Sequence, residues 1–362
     1  MGQVGLYGTL PCSNQQQSNL TGWCKPILGC VAFPLPFGAI VFEMADARRV
    51  RGGIVGAGRS RNGLGPFLAS HFEAAGGLVL GVVGRDEQRA LAAAGPVAAR
   101  LGHPIAAYGS LTALLALELD VLIIAAPVPV HLESLRAVCG TGVAVLCEKP
   151  LGMPCEEDAL YAVLDDFLGA KQLLLENCQW PAVLPAWRGL YPSRVAEPIR
   201  EVVMRLSPSG QSGMLEDSLS HLISLVQVLV KIGAQTSISG LRVSPMPRQV
   251  LGRVYEFALK SDSESVTCRL ELVPCEAQPR PAWLAINGAR MDRDIDLDTY
   301  QISFRSEHRS ISVGDPLADL VYRFVECVRD TCSYERIRNE SESIRQRARI
   351  YHRLLEGFDR EF

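Results

Sequence analysis

The sequence predicts an α/β half built on a parallel sheet, followed by an α+β half with a largely antiparallel, open-faced sheet. Three observations carry this reading. Between residues 50 and 176, short apolar runs alternate regularly with helical stretches, the order that right-handed βαβ units produce. Those runs are apolar throughout rather than alternating, as strands covered on both faces must be. Beyond about residue 200 the strand-like runs follow one another without intervening helices, which points to antiparallel pairing.

The elements can be justified in order. Val50 to Val55 forms the first strand and runs directly into Gly56-Ala57-Gly58. A helix is expected from Leu64 to Ala75, stopped by Gly76-Gly77, and Leu78 to Val83 is the second strand. Asp86 caps an Ala-rich helix that should be interrupted around Gly95-Pro96, because proline lacks the donor an interior turn requires. Next come Ile105 to Tyr108, a helix over 111–117, and the strand Asp120 to Ala126. Helix 130–139 leads to the strand Ala144 to Cys147, and helix 156–167 leads to Gln172 to Glu176. In the second half, Glu201 to Leu206 reads as a strand and Glu216 to Val230 as an amphipathic helix. Strand-like runs fill 237–313, among them Thr267 to Leu272 and Thr299 to Phe304; helices 316–329 and 341–358 close the chain.

At 362 residues, with 48% hydrophobic and 21% charged residues, the chain can bury two ordinary cores. A net charge of −3 without a Lys/Arg cluster argues against a nucleic-acid partner. No run reaches the roughly 18 uninterrupted apolar residues of a membrane helix. The 11 cysteines show neither CxxC pairs nor histidines in zinc-ligand spacing. They read as reduced thiols of a cytoplasmic protein, mostly filling the core, and no metal site is expected. Residues 1–43 differ in texture: a Gln/Asn-rich polar stretch precedes an apolar run broken by Pro34 and Pro36. A signal peptide would place its charge and its apolar run differently, and Ile27-Leu28-Gly29-Cys30 only faintly suggests a lipoprotein cleavage site. We read 1–43 as an extension, disordered or foreign to the native protein, 44–170 as the first domain, and 171–362 as a domain for substrate binding and oligomerisation.

Gly-x-Gly after a strand lets the backbone turn sharply and approach a pyrophosphate, whose charge then meets a helix N-terminus. Gly56 and Gly58 fit that pattern, so the first domain is read as a Rossmann dinucleotide-binding domain. The usual third glycine would be residue 61, which is Arg; Gly63 and Gly65 lie just beyond, and the loop is longer than the common form. At the end of the second strand an NAD enzyme commonly carries an acid for the ribose 2′-hydroxyl. Here the order is Val83-Gly84-Arg85-Asp86. Gly84 in the acid's place leaves room, and Arg85 supplies charge, for the 2′-phosphate of NADP. Arg59, Ser60 and Arg61 add to the same loop. NAD remains open if Asp86 holds the ribose instead.

Further along stand Ala125-Ala126-Pro127-Val128-Pro129-Val130-His131 and Val145-Leu146-Cys147-Glu148-Lys149-Pro150-Leu151-Gly152. With these segments the chain resembles the glucose–fructose oxidoreductase / inositol dehydrogenase / rhizopine-catabolism family, clearly over about 50–230 and in general layout beyond. The family pairs a T-P-x-x-x-H segment with a C-E-K-P-L segment one helix later. The resemblance implies cofactor contacts from Pro127, His131, Glu148 and Lys149, with Lys149 pointing between nicotinamide and substrate and preceding a cis proline. It also implies a dimer or tetramer formed through the open sheet.

Asp217 and His221 are four apart and share a helix face. The family carries a D-x-x-x-H pair at this place. By that resemblance His221 exchanges the proton of a substrate hydroxyl, while Asp217 orients the substrate or the imidazole. Two departures stand out: Ser224 occupies a position that is often Asp, and the glycine-rich run is reduced to Gly210 and Gly213. Asn177, Gln179 and Trp180 suit a polyol or sugar ring equally as they suit strand and core roles. The function implied is NADP(H)-dependent hydride transfer at a carbon bearing oxygen in a small polar substrate. Imine reduction, nicotinamide-dependent glycoside cleavage and non-catalytic NADP sensing are the alternatives.

Overall fold

A computed structural model describes residues 48–58, 64–261, 264–297 and 301–360. The extension over 1–43 therefore lies outside the described residues, as do Arg59, Ser60 and Arg61 of the glycine loop.

The first half alternates as the apolar runs require. In order it comprises β1 (Val50–Val55), α1 (Gly65–Ala74), β2 (Gly77–Val83), α2 (Glu87–Leu101), β3 (Ala106–Tyr108), α3 (Leu111–Leu115) and β4 (Val121–Ile124). These are followed by α4 (His131–Val138), β5 (Ala144–Cys147), α5 (Glu157–Gly169) and β6 (Leu174–Glu176). The six strands pair in parallel in the order β3-β2-β1-β4-β5-β6. The order reverses between β1 and β4, and in such sheets the crevice at that switch point is where ligands bind.

The expected interruption at Gly95-Pro96 does not occur: α2 is continuous, with Pro96 inside it. Gly95 and Pro96 lie on the exposed face, where water can serve the carbonyl that proline leaves without a donor. Gly95 also has no Cβ to meet the proline ring. Asp86 caps this helix as the sequence indicates, accepting from the Arg89 N–H at 2.7 Å.

After α6 (Leu184–Leu190), the second half contains β7 (Glu201–Leu206), α7 (Met214–Leu229), β8 (Ser237–Met246), β9 (Gln249–Lys260), β10 (Ser265–Leu272), β11 (Ala282–Ile286), β12 (Ala289–Ile295), β13 (Ile302–Arg305) and β14 (Ser310–Val313). Its eight strands run in the order β14-β13-β12-β11-β7-β10-β9-β8. All pairs are antiparallel except β7 with β10. α8 (Pro316–Arg329) and α9 (Tyr334–Arg360) end the chain. Leu219, Leu222 and Val226 of α7 join Met204, Leu270, Leu284 and Phe358 in one core against this sheet. Leu317, Leu320 and Phe324 of α8 instead pack with Phe72 and Ile54 on the parallel sheet. Burying Phe72 and Phe324, both almost fully covered, stabilises the fold by about 2–3 kcal/mol each. Among the described residues no helix is long and apolar enough to cross a membrane.

Candidate active site

The switch point is lined first by backbone. Gly56 follows β1 at φ +85°, and a Cβ there would lie 2.4 Å from the Ala126 Cα, in the loop after β4. Only glycine lets these two loops touch. The role usually given to the third glycine, close packing of helix on strand, falls to Gly65: its Cβ would lie 2.6 Å from the Ala57 Cα. The motif is therefore Gly56-x-Gly58 with its packing glycine displaced to the first residue of α1.

Gly84, after β2, is equally constrained, since a Cβ would meet the Ala90 N at 2.4 Å. No acidic side chain fits there. Arg85 follows with an exposed guanidinium 3.4 Å from Asp86, whose carboxylate also caps α2. Pro127 is exposed beside Ala126. His131 is fully buried, with Nδ1 2.9 Å from the Pro150 carbonyl and Nε2 2.8 Å from the Ala126 carbonyl. Both ring nitrogens are thus engaged by backbone, and the imidazole ties the loop after β4 to the loop after β5 without offering a free nitrogen to a ligand.

Lys149 stands just past β5, before a cis peptide bond to Pro150. Its Nζ donates to the backbone carbonyl of Asp217 on α7, the residue one helical turn before His221. The Lys149 amine thus reaches the α7 turn that carries His221, at the C-terminal edge of the parallel sheet. The Asp217 carboxylate is exposed and does not bond the imidazole; Asp217 contributes through its carbonyl. The Nδ1 of His221 is buried with no hydrogen-bond partner among the described residues. Burial first, then the charges of Lys149 and Arg293, hold its pKa well below the ordinary 6.5. His221 is accordingly a neutral imidazole near pH 7.

Glu148 is largely enclosed, and burial raises its pKa to about 6 despite the hydrogen bond from the Asn177 amide. Asn177 is itself buried and serves Glu148, which favours its structural role over contact with substrate. Behind it Glu176 pairs with Arg347 at 2.7 Å, and Arg347 also donates to Gln227 at 2.7 Å. The Trp180 ring lies edge-on to the His221 imidazole, with centroids 6.4 Å apart. The Arg293 guanidinium also stands 5.9 Å from the Trp180 ring centroid. Gln179, Trp180 and Arg293 share the lining of a cavity of about 60 Å³ with Phe304 and Asp315. Arg293 was not singled out in the sequence. Its signal was present: on β12, Ala289, Met291, Arg293 and Ile295 alternate with Arg290, Asp292 and Asp294, placing a cation on the apolar side of a strand.

Residues 50–162 match the family model described as the GFO_IDH_MocA oxidoreductase family, NAD-binding Rossmann fold. Over these residues the chain is similar to the Rossmann domain of that family. A D-xylose 1-dehydrogenase (NADP(+)) of Haloferax volcanii is 43% identical over 109 residues, a match spanning 30% of this chain and only 30% of that relative. Solved structures share the fold through the second half as well. UDP-N-acetylglucosamine 3-dehydrogenase from Acidithiobacillus ferrooxidans aligns with TM-score 0.59 at 18% identity, covering 85% of this chain and 96% of the other. An inositol dehydrogenase homologue from Azotobacter vinelandii, complexed with NADH and myo-inositol, aligns with TM-score 0.61 at 15% identity, covering 87% and 96%. At these identities the likeness establishes the fold.

Proposed function

We propose that the protein is an NADP(H)-dependent oxidoreductase acting on a hydroxyl or carbonyl carbon of a sugar-like substrate. The observation that carries this reading is the contact of Lys149 with the α7 turn that bears His221, beside a glycine cradle in which the Cβ position of Gly56 is filled by the Ala126 backbone. That cradle fits a pyrophosphate, with Gly56 and Gly58 holding it and α1 behind. The absence of space at Gly84 and the charge of Arg85 support NADP over NAD, as does the cofactor named for the Haloferax relative. When bound, the nicotinamide supplies the hydride acceptor or donor.

The chain's own residues then handle the proton and the oxygen. Lys149, an amine with three donors, keeps one on the Asp217 carbonyl and can offer another to the substrate oxygen. In the oxidation direction His221 takes the hydroxyl proton, because burial and adjacent cations keep its imidazole neutral. As negative charge grows on that oxygen, the ammonium of Lys149 offsets it. Trp180, buried in the core, packs beside His221 and supports the imidazole. The test is absorbance at 340 nm with NADP⁺ or NADPH against a panel of aldoses, cyclic polyols and their ketones. Turnover is expected with at least one substrate, and Lys149→Ala should lower kcat by about 10²–10⁴-fold while NADP⁺ affinity changes little. Tight NADP⁺ binding without turnover on the panel, or a Lys149→Ala enzyme of normal kcat, would remove the catalytic reading.

A further inference from the structure

We infer that Arg293 forms an anion subsite that selects substrates bearing a carboxylate or phosphoryl group. This rests on the function proposed above, since it assigns a substrate class to the same site. Arg293 projects from the inward face of β12 into the cavity that it shares with Gln179 and Trp180. Its only hydrogen bond among the described residues runs from Nη2 to the Arg280 carbonyl at 3.0 Å. Its Nε is buried without a partner, and so is the Nε of Arg280. Neither arginine makes an ion pair among the described residues.

The nearby carboxylates are engaged elsewhere. Asp292 lies on the opposite face of the strand and is held bidentately by Arg290 at 3.0 and 2.5 Å. Asp315, which shares the cavity lining, bonds His71 at 2.9 Å and caps α8 through the Leu317 N–H at 2.9 Å. A guanidinium with no counter-ion and an orphaned donor is unfavourable in a protein interior unless a ligand completes it. The planar fork of arginine matches the oxygens of a carboxylate or phosphoryl group. Burial first, then the neighbouring Arg280, press the Arg293 pKa downward, in keeping with a guanidinium that has no counter-ion. The cavity of about 60 Å³ is small, so it suits a terminal charged group rather than a second ring. Trp180 neighbours both Arg293 and His221, which keeps the charged group within the reach of one sugar-sized ligand from the imidazole.

The experiment is calorimetric titration of the NADP⁺-saturated full chain with D-glucose, D-glucuronate and D-glucose 6-phosphate. One of the two anions should bind roughly ten- to a hundredfold more tightly than glucose, the range for charge-assisted hydrogen bonds. An advantage for glucuronate identifies a carboxylate subsite, and one for the phosphate ester a phosphoryl subsite. Arg293→Met should abolish the advantage without weakening NADP⁺ binding, and Arg293→Lys should retain part of it. The ligand-free Tm of Arg293→Met should be unchanged or higher, because an uncompensated cation has been removed. Equal affinity for all three sugars, an advantage that survives in Arg293→Met, or a Tm loss of several degrees would overturn the subsite. The two readings fail separately. Arg293-dependent anion binding without hydride transfer sinks the proposed reaction alone, whereas hydride transfer on sugars with no Arg293-dependent preference for the anions sinks the subsite alone.

Discussion

Replacing Glu148 by Gln should change how stability depends on pH, and the size of the change follows from the structure. Burial lifts the Glu148 pKa from 4.5 to about 6. A carboxyl whose folded pKa lies above its unfolded value binds its proton more tightly when folded, so stability falls as pH rises through the interval between the two. A rise from 4.5 to about 6 corresponds to about 2 kcal/mol, withdrawn progressively between roughly pH 4 and pH 7. Gln cannot ionise. The difference in unfolding free energy, Glu148→Gln minus wild type, should therefore grow by about 2 kcal/mol in favour of the variant between pH 4 and pH 8. Any pH-independent cost, such as an altered bond to Asn177, cancels in that comparison. Urea unfolding followed by tryptophan fluorescence at the two pH values measures it. A difference that stays flat, or that favours wild type at the higher pH, would refute the enclosed, destabilised carboxylate beside Lys149.

The remaining predictions concern the cradle, the support and the imidazole. Gly56→Ala should weaken NADP⁺ binding roughly tenfold or more, because its Cβ overlaps Ala126 and its φ of +85° strains any L side chain; fluorescence titration of NADPH would show it. Arg347→Met leaves Glu176 buried without its cation and should cost about 3–5 kcal/mol, with Glu176→Gln/Arg347→Met recovering much of that in urea melts. The acid limb of kcat/KM should lie below pH 6.5, since His221 stays neutral there. Arg293→Met should move that limb upward by removing one of the charges that depress the imidazole, and an unmoved limb would exclude His221 as the titrating base.

Much of this arrangement is legible in the chain because it is local. The apolar runs specify β1 to β6 and their parallel order, and the i, i+4 spacing places Asp217 and His221 on one face. Other features depend on contacts that spacing does not encode. Gly65 replaces the usual third glycine only because α1 begins late and packs on Ala57. Pro96 fails to stop α2 because it faces solvent. The engagement of His131 by Ala126 and Pro150, the use of the Asp217 carbonyl rather than its carboxylate, and the pairing of Glu176 with Arg347 across 171 residues all arise from tertiary packing. Arg293 was the exception: the alternation along β12 carried its signal, but a cation in a short polar strand reads as solvent-facing until the sheet's inner side is known.

A crystal structure of the full chain with NADP⁺ bears most directly on the central claim. The pyrophosphate should lie against Gly56 and Gly58, and the nicotinamide ring on the side of Lys149 and His221. Density for the dinucleotide elsewhere, or a nicotinamide turned away from both side chains, would contradict it.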